Sequence, residues 1–262
     1  MPENIIHDEL LVRKESHAIK VFETDVHIRA TFPAIYNYFQ EAAYNHAAQV
    51  DLRLGKVLPD NNVWMLSRME VEADAFPEAG ARIDIETWSR GVDRLFFIRD
   101  FVIRGDDGTT LMRGVTAWVV VDAVTRRVSR PGEAAKRWPG HVDRKALDHT
   151  PDKLPGPATG VPSYSLRVRY SHLDRNHHVN NGTYIEWILD GYPMEMHDRS
   201  QVKRIEINFL AEALYGDTLN IVTQEVSGGV YLNSVVRESD GRELCRGRVE
   251  WSPYDAASKK GA

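Results

Sequence analysis

Residues 171–181 read Ser-His-Leu-Asp-Arg-Asn-His-His-Val-Asn-Asn and form the densest polar stretch of the chain. A strand pattern precedes them at 165–170, where apolar residues alternate. A helix pattern follows from Asn181 to Leu189, and asparagine suits the cap of such a helix. Further strand patterns complete this half of the chain at 202–209, 218–225, 230–239 and 243–251. One helix followed by a run of strands predicts an α+β unit with an antiparallel sheet.

The first half of the chain repeats this order. After Pro33, a helix pattern runs from Ala34 to Val50, with one face formed by Ile35, Phe39, Ala42 and His46. Strand patterns then follow at 63–71, 82–88, 96–104 and 110–122. Landmarks recur at matching places: Gly80 and Gly216, the turns Asp107-Gly108 and Asp240-Gly241, and Trp118 and Trp251. The repeat predicts two units of the same construction.

Between the halves, residues 130–162 are rich in proline and glycine. Because long connections without structure are uncommon inside compact domains, this composition indicates a linker with a short helix at 133–138. We therefore predict an N-terminal domain over 1–129, a linker over 130–163 and a C-terminal domain over 164–262.

The bulk composition restricts the class of protein. A hydrophobic share of 42% and a charged share of 27% are ordinary for a globular protein. No apolar run approaches the ~20 residues of a membrane span, and the N-terminus resembles neither a secretory signal nor a transit peptide, so we expect a cytoplasmic protein. A single cysteine, Cys245, excludes an internal disulfide, and a net charge of −5 argues against nucleic acid as a partner.

The polar stretch carries residues suited to catalysis. Asp174, Asn176 and His178 alternate, so in an extended segment their side chains leave on the same side. Together they supply a tunable base and two hydrogen-bonding partners. Other interpretations stay open here: the neighbouring histidines, His172 and His177, are also explained as solvated loop residues or as zinc ligands.

A second candidate is Glu212, which ends an otherwise apolar strand pattern. An unpaired carboxylate is unusual in such a place, which favours a functional role. The matching zone of the first half, 75–78, ends in Glu78 beside a turn, so a solvent-facing turn carboxylate is the alternative.

These residues also carry a resemblance. The motif Asp-x-Asn-x-His-x-Asn-Asn from Asp174, followed by Tyr184-Ile185, resembles the signature of the acyl-acyl carrier protein thioesterase family. Matching motifs elsewhere extend the resemblance over nearly the whole chain: Gln40-Glu41, Asn45-His46, Trp64-x-x-x-Arg68-Met69, Pro77 and Thr87-Trp88. The resemblance implies an α+β double hotdog, that is, two tandem units that each wrap an antiparallel sheet around a long helix.

The resemblance also implies which half is catalytic. Only the second half is expected to keep the catalytic cluster of Asp174, Asn176, His178 and Glu212. In the first half the matching approach to the helix, 28–33, carries no carboxylate or imidazole, so that half is expected to shape the acyl pocket instead. Plausible linings are Ile35, Phe39 and Met65, although all three also fit a plain core.

Some members of this family are described with a covalent cysteine directly after the strand glutamate. Here that position is Ala213, and we assign Cys245 to the core. The sequence therefore favours direct hydrolysis, in which Glu212 and His178 hold and deprotonate a water. Asp174 is expected to orient His178, and Asn176 to hydrogen-bond the thioester oxygen or the imidazole. No metal or cofactor is expected.

The implied partner is acyl carrier protein with a fatty acyl-phosphopantetheine. Because that carrier is acidic, basic residues are expected to dock it, with Arg126, Arg127, Arg130, Lys136 and Arg137 as candidates. A homodimer is compatible with the sequence. Three other functions stay open: a coenzyme A thioesterase, a hotdog dehydratase acting on 3-hydroxyacyl thioesters, and a non-catalytic acyl-binding protein.

Overall fold

The structure is a computed structural model that describes residues 11–54, 58, 61–138, 140 and 143–254, without the side chains of residues 52–54, 133 and 137. The chain divides into two compact units, Met1–Asp152 and Lys153–Ala262. Each unit combines helices with an antiparallel sheet, which confirms the predicted α+β class.

The first unit contains, in chain order, β1 (Val12–Ala18), α1 (Phe32–Leu54), β2 (Asn62–Ala73), β3 (Arg82–Asp93), β4 (Phe96–Gly105), β5 (Thr110–Asp122), β6 (Val128–Ser129) and α2 (Gly132–Arg137). Its sheet is antiparallel in the order β1-β3-β4-β5-β2, and β6 pairs with β5. Strand β1 was not predicted, because its sequence is mostly polar and its residues are only partly buried.

Helix α1 packs its predicted face into the sheet. Its start is marked by Thr31, whose Oγ1 accepts the N–H of Ala34 at 3.3 Å. The four residues predicted for the inner face are at most 2% exposed. A strand glycine, Gly114, makes the close contact possible: a Cβ added there would lie 2.5 Å from Cε2 of Phe39. The ring of Phe39 in turn stacks on Phe101, with centroids 4.3 Å apart.

The second unit contains β7 (Tyr164–Arg167), α3 (Asn181–Asp190), α4 (Met194–Arg199), β8 (Ser200–Phe209), β9 (Thr218–Ser227), β10 (Val230–Arg237) and β11 (Glu243–Pro253). Its sheet is antiparallel in the order β8-β11-β10-β9-β7. As in the first unit, a strand glycine allows the helix to pack closely on the sheet. A Cβ added at Gly247 would lie 2.9 Å from Cδ1 of Ile188 on α3.

Helix α3 is shorter than the long helix that the resemblance implies. It begins where predicted, at a cap formed by Asn180, whose Oδ1 accepts the N–H of Gly182 at 2.8 Å. It ends after 10 residues. Pro193 explains the end of the helix, because proline lacks an N–H and disfavours helical backbone at the residue before it.

The segment predicted as a linker is divided between the two units and hydrogen-bonds to both. On the first unit, the indole of Trp88 donates to Arg144 O at 2.8 Å, and Arg90 donates to Leu147 O at 2.8 Å. On the second unit, the N–H of Leu154 donates to Asn208 Oδ1 at 2.9 Å. The predicted helix at 133–138 is present as α2. The predicted domain limits of 129 and 164 stay a prediction.

Within the described residues, no helix combines the length and the apolar composition that crossing a membrane requires.

Candidate active site

The loop between β7 and α3 is shaped by Asp174. Its Oδ1 accepts the N–H of Asn176 at 2.7 Å and the N–H of His178 at 3.3 Å. The backbone closes the same turn, since Asp174 N–H donates to His178 O at 2.8 Å. His177, at the tip, has a φ of 62°, a left-handed conformation that non-glycine residues adopt rarely. The loop is therefore fixed by its own hydrogen bonds.

The hydrogen bonds of Asp174 lie within its own loop. Its carboxylate bonds backbone N–H groups, and a weak contact of 3.4 Å reaches Nδ2 of Asn176. The imidazole of His178 is not among its partners in the described structure. The carboxylate is engaged in forming the turn, and its role in orienting the imidazole stays a prediction.

His178 meets Glu212 instead. The Nε2 of His178 lies 3.4 Å from Oε2 of Glu212, and the two side chains are 28% and 30% exposed. This separation is longer than an ordinary hydrogen bond, as is common in catalytic sites before substrate binds. An imidazole and a carboxylate that are partly open to solvent are thus brought together from two separate segments of the unit.

The segment that carries Glu212 is fixed at several points. The N–H of Ala213 donates to the hydroxyl oxygen of Tyr184 at 2.9 Å, and Ala213 O accepts the N–H of Val179 at 3.3 Å. The guanidinium of Arg237 approaches Glu212 O, with Nη2 at 3.5 Å. Sequence reasoning named neither Tyr184 nor Arg237 as part of the site, although Tyr184 stood in the quoted signature.

Neither of the two positions that bear on a covalent cysteine mechanism, 213 and 245, offers an accessible thiol. Ala213 occupies the place of the covalent cysteine and is fully buried. Cys245 is also fully buried, as predicted for a core residue, and burial raises the pKa of its thiol far above the ordinary range. A thiol that is buried and protonated is a poor nucleophile.

The first unit contains the same loop before α1, at residues 24–30. Asp25 N–H donates to Arg29 O at 2.8 Å, and Asp25 Oδ1 accepts the N–H groups of His27 at 2.9 Å and Arg29 at 3.0 Å. Ile28, at the tip, has a φ of 65°. Each feature has its counterpart in the loop 173–179, so Asp25 corresponds to Asp174.

The segment opposite the loop also has a counterpart. The carbonyl of Pro77 accepts the N–H of Ala30 at 2.8 Å, which matches the bond accepted by Ala213 in the second unit. Pro77 therefore holds the place of Ala213, and Phe76 holds the place of Glu212.

The first loop differs from the second at the two facing positions, and not in the way we expected. Arg29 stands where the second unit has His178, and its guanidinium lies 6.0 Å from the ring centroid of Phe76. The expectation of no carboxylate or imidazole is wrong, because the matching segment reaches back to Asp25 and His27. What the first unit lacks is the pair formed by imidazole and carboxylate at the two facing positions.

The residues predicted to line the acyl chain are found in different environments. Ile35 and Phe39 lie in the core of the first unit, whereas Met65 on β2 is 38% exposed. Their part in an acyl pocket stays a prediction.

A separate cleft of about 290 Å³ on this unit is lined by Arg90, Gly91, Val92, Asp93, Ile98, Lys145, Asp148, His149 and Thr150. None of the predicted acyl residues is in this lining.

Four of the five predicted docking residues are exposed. Arg126, Arg127 and Arg130 lie in and after the turn between β5 and β6, and Lys136 lies on α2. The side chain of Arg137 lies outside the described residues. Docking by these residues stays a prediction.

Another histidine of the polar stretch, His172, has a structural explanation. His172 Nδ1 accepts the N–H of Arg169 at 3.0 Å, and its ring packs edge-on against Trp187, with centroids 5.1 Å apart. Over the part of the chain that the structure describes, no group of three or more His, Cys, Asp or Glu side chains is placed to hold a metal ion. The zinc interpretation therefore has no support in this geometry.

Comparison with known proteins identifies the family. The family model described as the acyl-ACP thioesterase N-terminal domain matches residues 11–134, and that of the C-terminal domain matches residues 160–253. The chain belongs to the acyl-ACP thioesterase family. The loop 173–179 and Glu212 both lie in the part of the chain matched by the C-terminal model.

Relatives of this acyl-ACP thioesterase family member include plant proteins. It is 28% identical to the chloroplastic palmitoyl-acyl carrier protein thioesterase of Arabidopsis thaliana over 95% of this chain and 65% of that protein. It is 27% identical to oleoyl-acyl carrier protein thioesterase 1 of the same plant, over 91% of this chain and 75% of that protein. The chain thus spans about 65% of the length of the first of these relatives.

Solved structures of the family agree with the fold. An acyl-ACP thioesterase from Bacteroides thetaiotaomicron matches with a TM-score of 0.79 and 27% identity, covering 94% of this chain and 100% of that one. The 12:0-ACP thioesterase from Umbellularia californica matches with a TM-score of 0.80 and 25% identity, over 93% and 98% of the two chains. These similarities confirm the predicted double hotdog.

Proposed function

We propose that this chain hydrolyses fatty acyl thioesters of acyl carrier protein, using a water held between His178 and Glu212. The observation that carries the proposal is the approach of Nε2 to Oε2, at 3.4 Å, between two partly exposed side chains. It occurs at the family's motif, in a chain whose relatives are named as thioesterases of acyl carrier protein.

The proposed reaction is a direct attack of water on the thioester carbonyl. Nε2 of His178 takes a proton from the water, and the nearby carboxylate of Glu212 aligns the water and stabilises the imidazolium that forms. The oxyanion of the tetrahedral intermediate then collapses and expels the pantetheine thiolate, which receives the proton from His178. The products are a free fatty acid and a carrier protein with a free thiol.

Asn176 is proposed to stabilise the oxyanion. Its side chain is exposed, and its Nδ2 makes only a 3.4 Å contact with Asp174, so the amide can turn toward a substrate carbonyl. Removing one donor of this kind typically lowers the rate by about 10²–10³-fold.

The absence of a thiol next to Glu212 supports direct hydrolysis. Ala213 offers no nucleophile, and Cys245 is buried in a strand. The names of this chain's relatives include palmitoyl, oleoyl and 12:0 acyl chains.

The test is thiol release from a panel of acyl-carrier-protein and acyl-coenzyme A thioesters. We expect wild type to prefer the carrier-protein substrates, and His178→Ala and Glu212→Gln to lower kcat by about 10²–10⁴-fold, the range of general acid–base catalysis. A preference for coenzyme A substrates would show that coenzyme A, and not acyl carrier protein, carries the acyl group. The proposed hydrolysis at His178 and Glu212 would stand.

The matched control is His177→Asn. It removes the adjacent, exposed imidazole, and asparagine tolerates the left-handed backbone at this position. We expect its activity to equal that of wild type. No thiol release from any substrate by wild type would refute the proposed function.

A further inference from the structure

The hydroxyl of Tyr184 joins helix α3 to the segment that carries Glu212. It accepts the N–H of Ala213 at 2.9 Å, and Ala213 directly follows Glu212 in the chain. Tyr184 is 3% exposed and Ala213 is fully buried, so water does not compete for this bond. The contact thus fixes the backbone one residue from the proposed carboxylate.

The tyrosine ring is itself held in place. It packs against Trp187, with centroids 5.4 Å apart, and against Phe209, with centroids 6.0 Å apart. Burial first, and nearby negative groups that include Glu212, raise the pKa of Tyr184 beyond its ordinary range. The phenol is therefore neutral near neutral pH.

The first unit shows that the fold does not require this bond. Counting from the caps Thr31 and Asn180, Ile35 is the counterpart of Tyr184, and it has no hydroxyl. Pro77, the counterpart of Ala213, has no N–H. The hydrogen bond is therefore present only in the unit that carries the pair of His178 and Glu212.

We infer that Tyr184 is a positioning residue for the proposed thioesterase: its hydroxyl fixes the backbone at Ala213 and so sets the carboxylate of Glu212 against His178. This inference rests on the proposed function for its catalytic consequence, but its structural part can be tested separately. A displacement of about 1 Å in a reacting group can lower a rate by about 10²-fold, which is the scale of effect expected here.

The kinetic test uses Tyr184→Phe, which keeps the ring and removes the acceptor. We expect kcat to fall by about 10–10²-fold while KM changes less than about twofold, because the variant misplaces a reacting group and leaves substrate binding intact. In a Glu212→Gln background the same substitution should lower kcat by less than about twofold. Equal losses in both backgrounds, or an unchanged kcat in wild-type background, would overturn the inference.

The matched control is Tyr192→Phe. Tyr192 is a second buried tyrosine of this unit, and its hydroxyl donates to Asn233 Oδ1 at 3.1 Å and accepts from Asn233 Nδ2 at 2.8 Å. Both variants remove a buried hydroxyl that is hydrogen-bonded, so both should lower the thermal midpoint. Only Tyr184→Phe should lower kcat.

A spectroscopic test does not depend on turnover. The imidazole ¹⁵N shifts of His178, identified by their loss in His178→Ala, should move in Tyr184→Phe toward their values in Glu212→Gln, and should stay unchanged in Tyr192→Phe. Unchanged shifts in Tyr184→Phe would overturn the inference. If wild type released no thiol, the proposed function would fail, and this measurement would still decide whether Tyr184 positions Glu212.

Discussion

The carboxylate of Asp174 accepts two backbone N–H groups of its own loop, and Asp25 does the same in the first unit. Because the loop of Asp25 has Arg29 and Phe76 at the two facing positions, the shared role of these aspartates is to form the turn. We propose that Asp174 acts on catalysis indirectly, by placing His178. A charge next to the imidazole is not needed for that role.

Substitutions at Asp174 separate the two roles. An asparagine oxygen can accept the same N–H groups, so we expect Asp174→Asn to keep kcat within about threefold of wild type. The removal of a catalytic acid or base would lower kcat far more. Asp174→Ala removes the acceptor and should lower both kcat and stability, the latter by about 1–2 kcal/mol, as for a lost cap. The measurements are thiol release and thermal unfolding.

The control is Asp25→Ala, which removes the matching carboxylate from the first unit. It should lower the stability of the protein while leaving kcat unchanged. If Asp174→Asn proved as inactive as Asp174→Ala, the carboxylate charge would matter after all, and the role of turn former would be insufficient.

At the scale of elements, helices α1 and α3 each pack against a glycine of the sheet in their unit. The two contacts differ in what the glycine faces: Gly114 faces the ring of Phe39, whereas Gly247 faces the methyl end of Ile188. The ring of Phe39 is stacked on Phe101 and has little room to move. An isoleucine methyl can turn away at lower cost.

This difference predicts an order of stabilities. Gly114→Ala places a Cβ 2.5 Å from Phe39 Cε2 and should cost about 1–3 kcal/mol through overpacking, whereas Gly247→Ala, with its contact at 2.9 Å, should cost less. The control Gly156→Ala, which has no atom within 4 Å of the added Cβ, should change stability by at most about 1 kcal/mol. Calorimetric melting gives the order, and equal midpoints for Gly114→Ala and Gly156→Ala would contradict it.

The elements that the sequence predicted correctly are those with strong periodicity. The inner face of α1 and the strand β5 appear as expected, because apolar spacing and burial agree there. Strand β1 was missed because its residues are polar and only partly buried. The early end of α3 depends on Pro193, a single residue after an otherwise continuous pattern.

At the scale of the whole molecule, the repeat explains both the success and the limits of sequence reasoning. Two units of the same construction were predictable from recurring turns and tryptophans. The detailed correspondence of Asp25 with Asp174 was not, because the hydrogen bonds of the two loops reveal it and the residue types around them differ. The partner of Glu212 was predictable only through the family motif, since His178 and Glu212 are distant in sequence.

The central claim is that water attacks the thioester directly at the pair of His178 and Glu212. A single turnover in H₂¹⁸O, with enzyme in excess over acyl carrier protein substrate, tests it. We predict one ¹⁸O atom in the released fatty acid and none in the peptide that contains Glu212. An unlabelled fatty acid from the first turnover, together with ¹⁸O in that peptide, would show an acyl-Glu212 anhydride opened at the enzyme's carbonyl and would contradict direct hydrolysis.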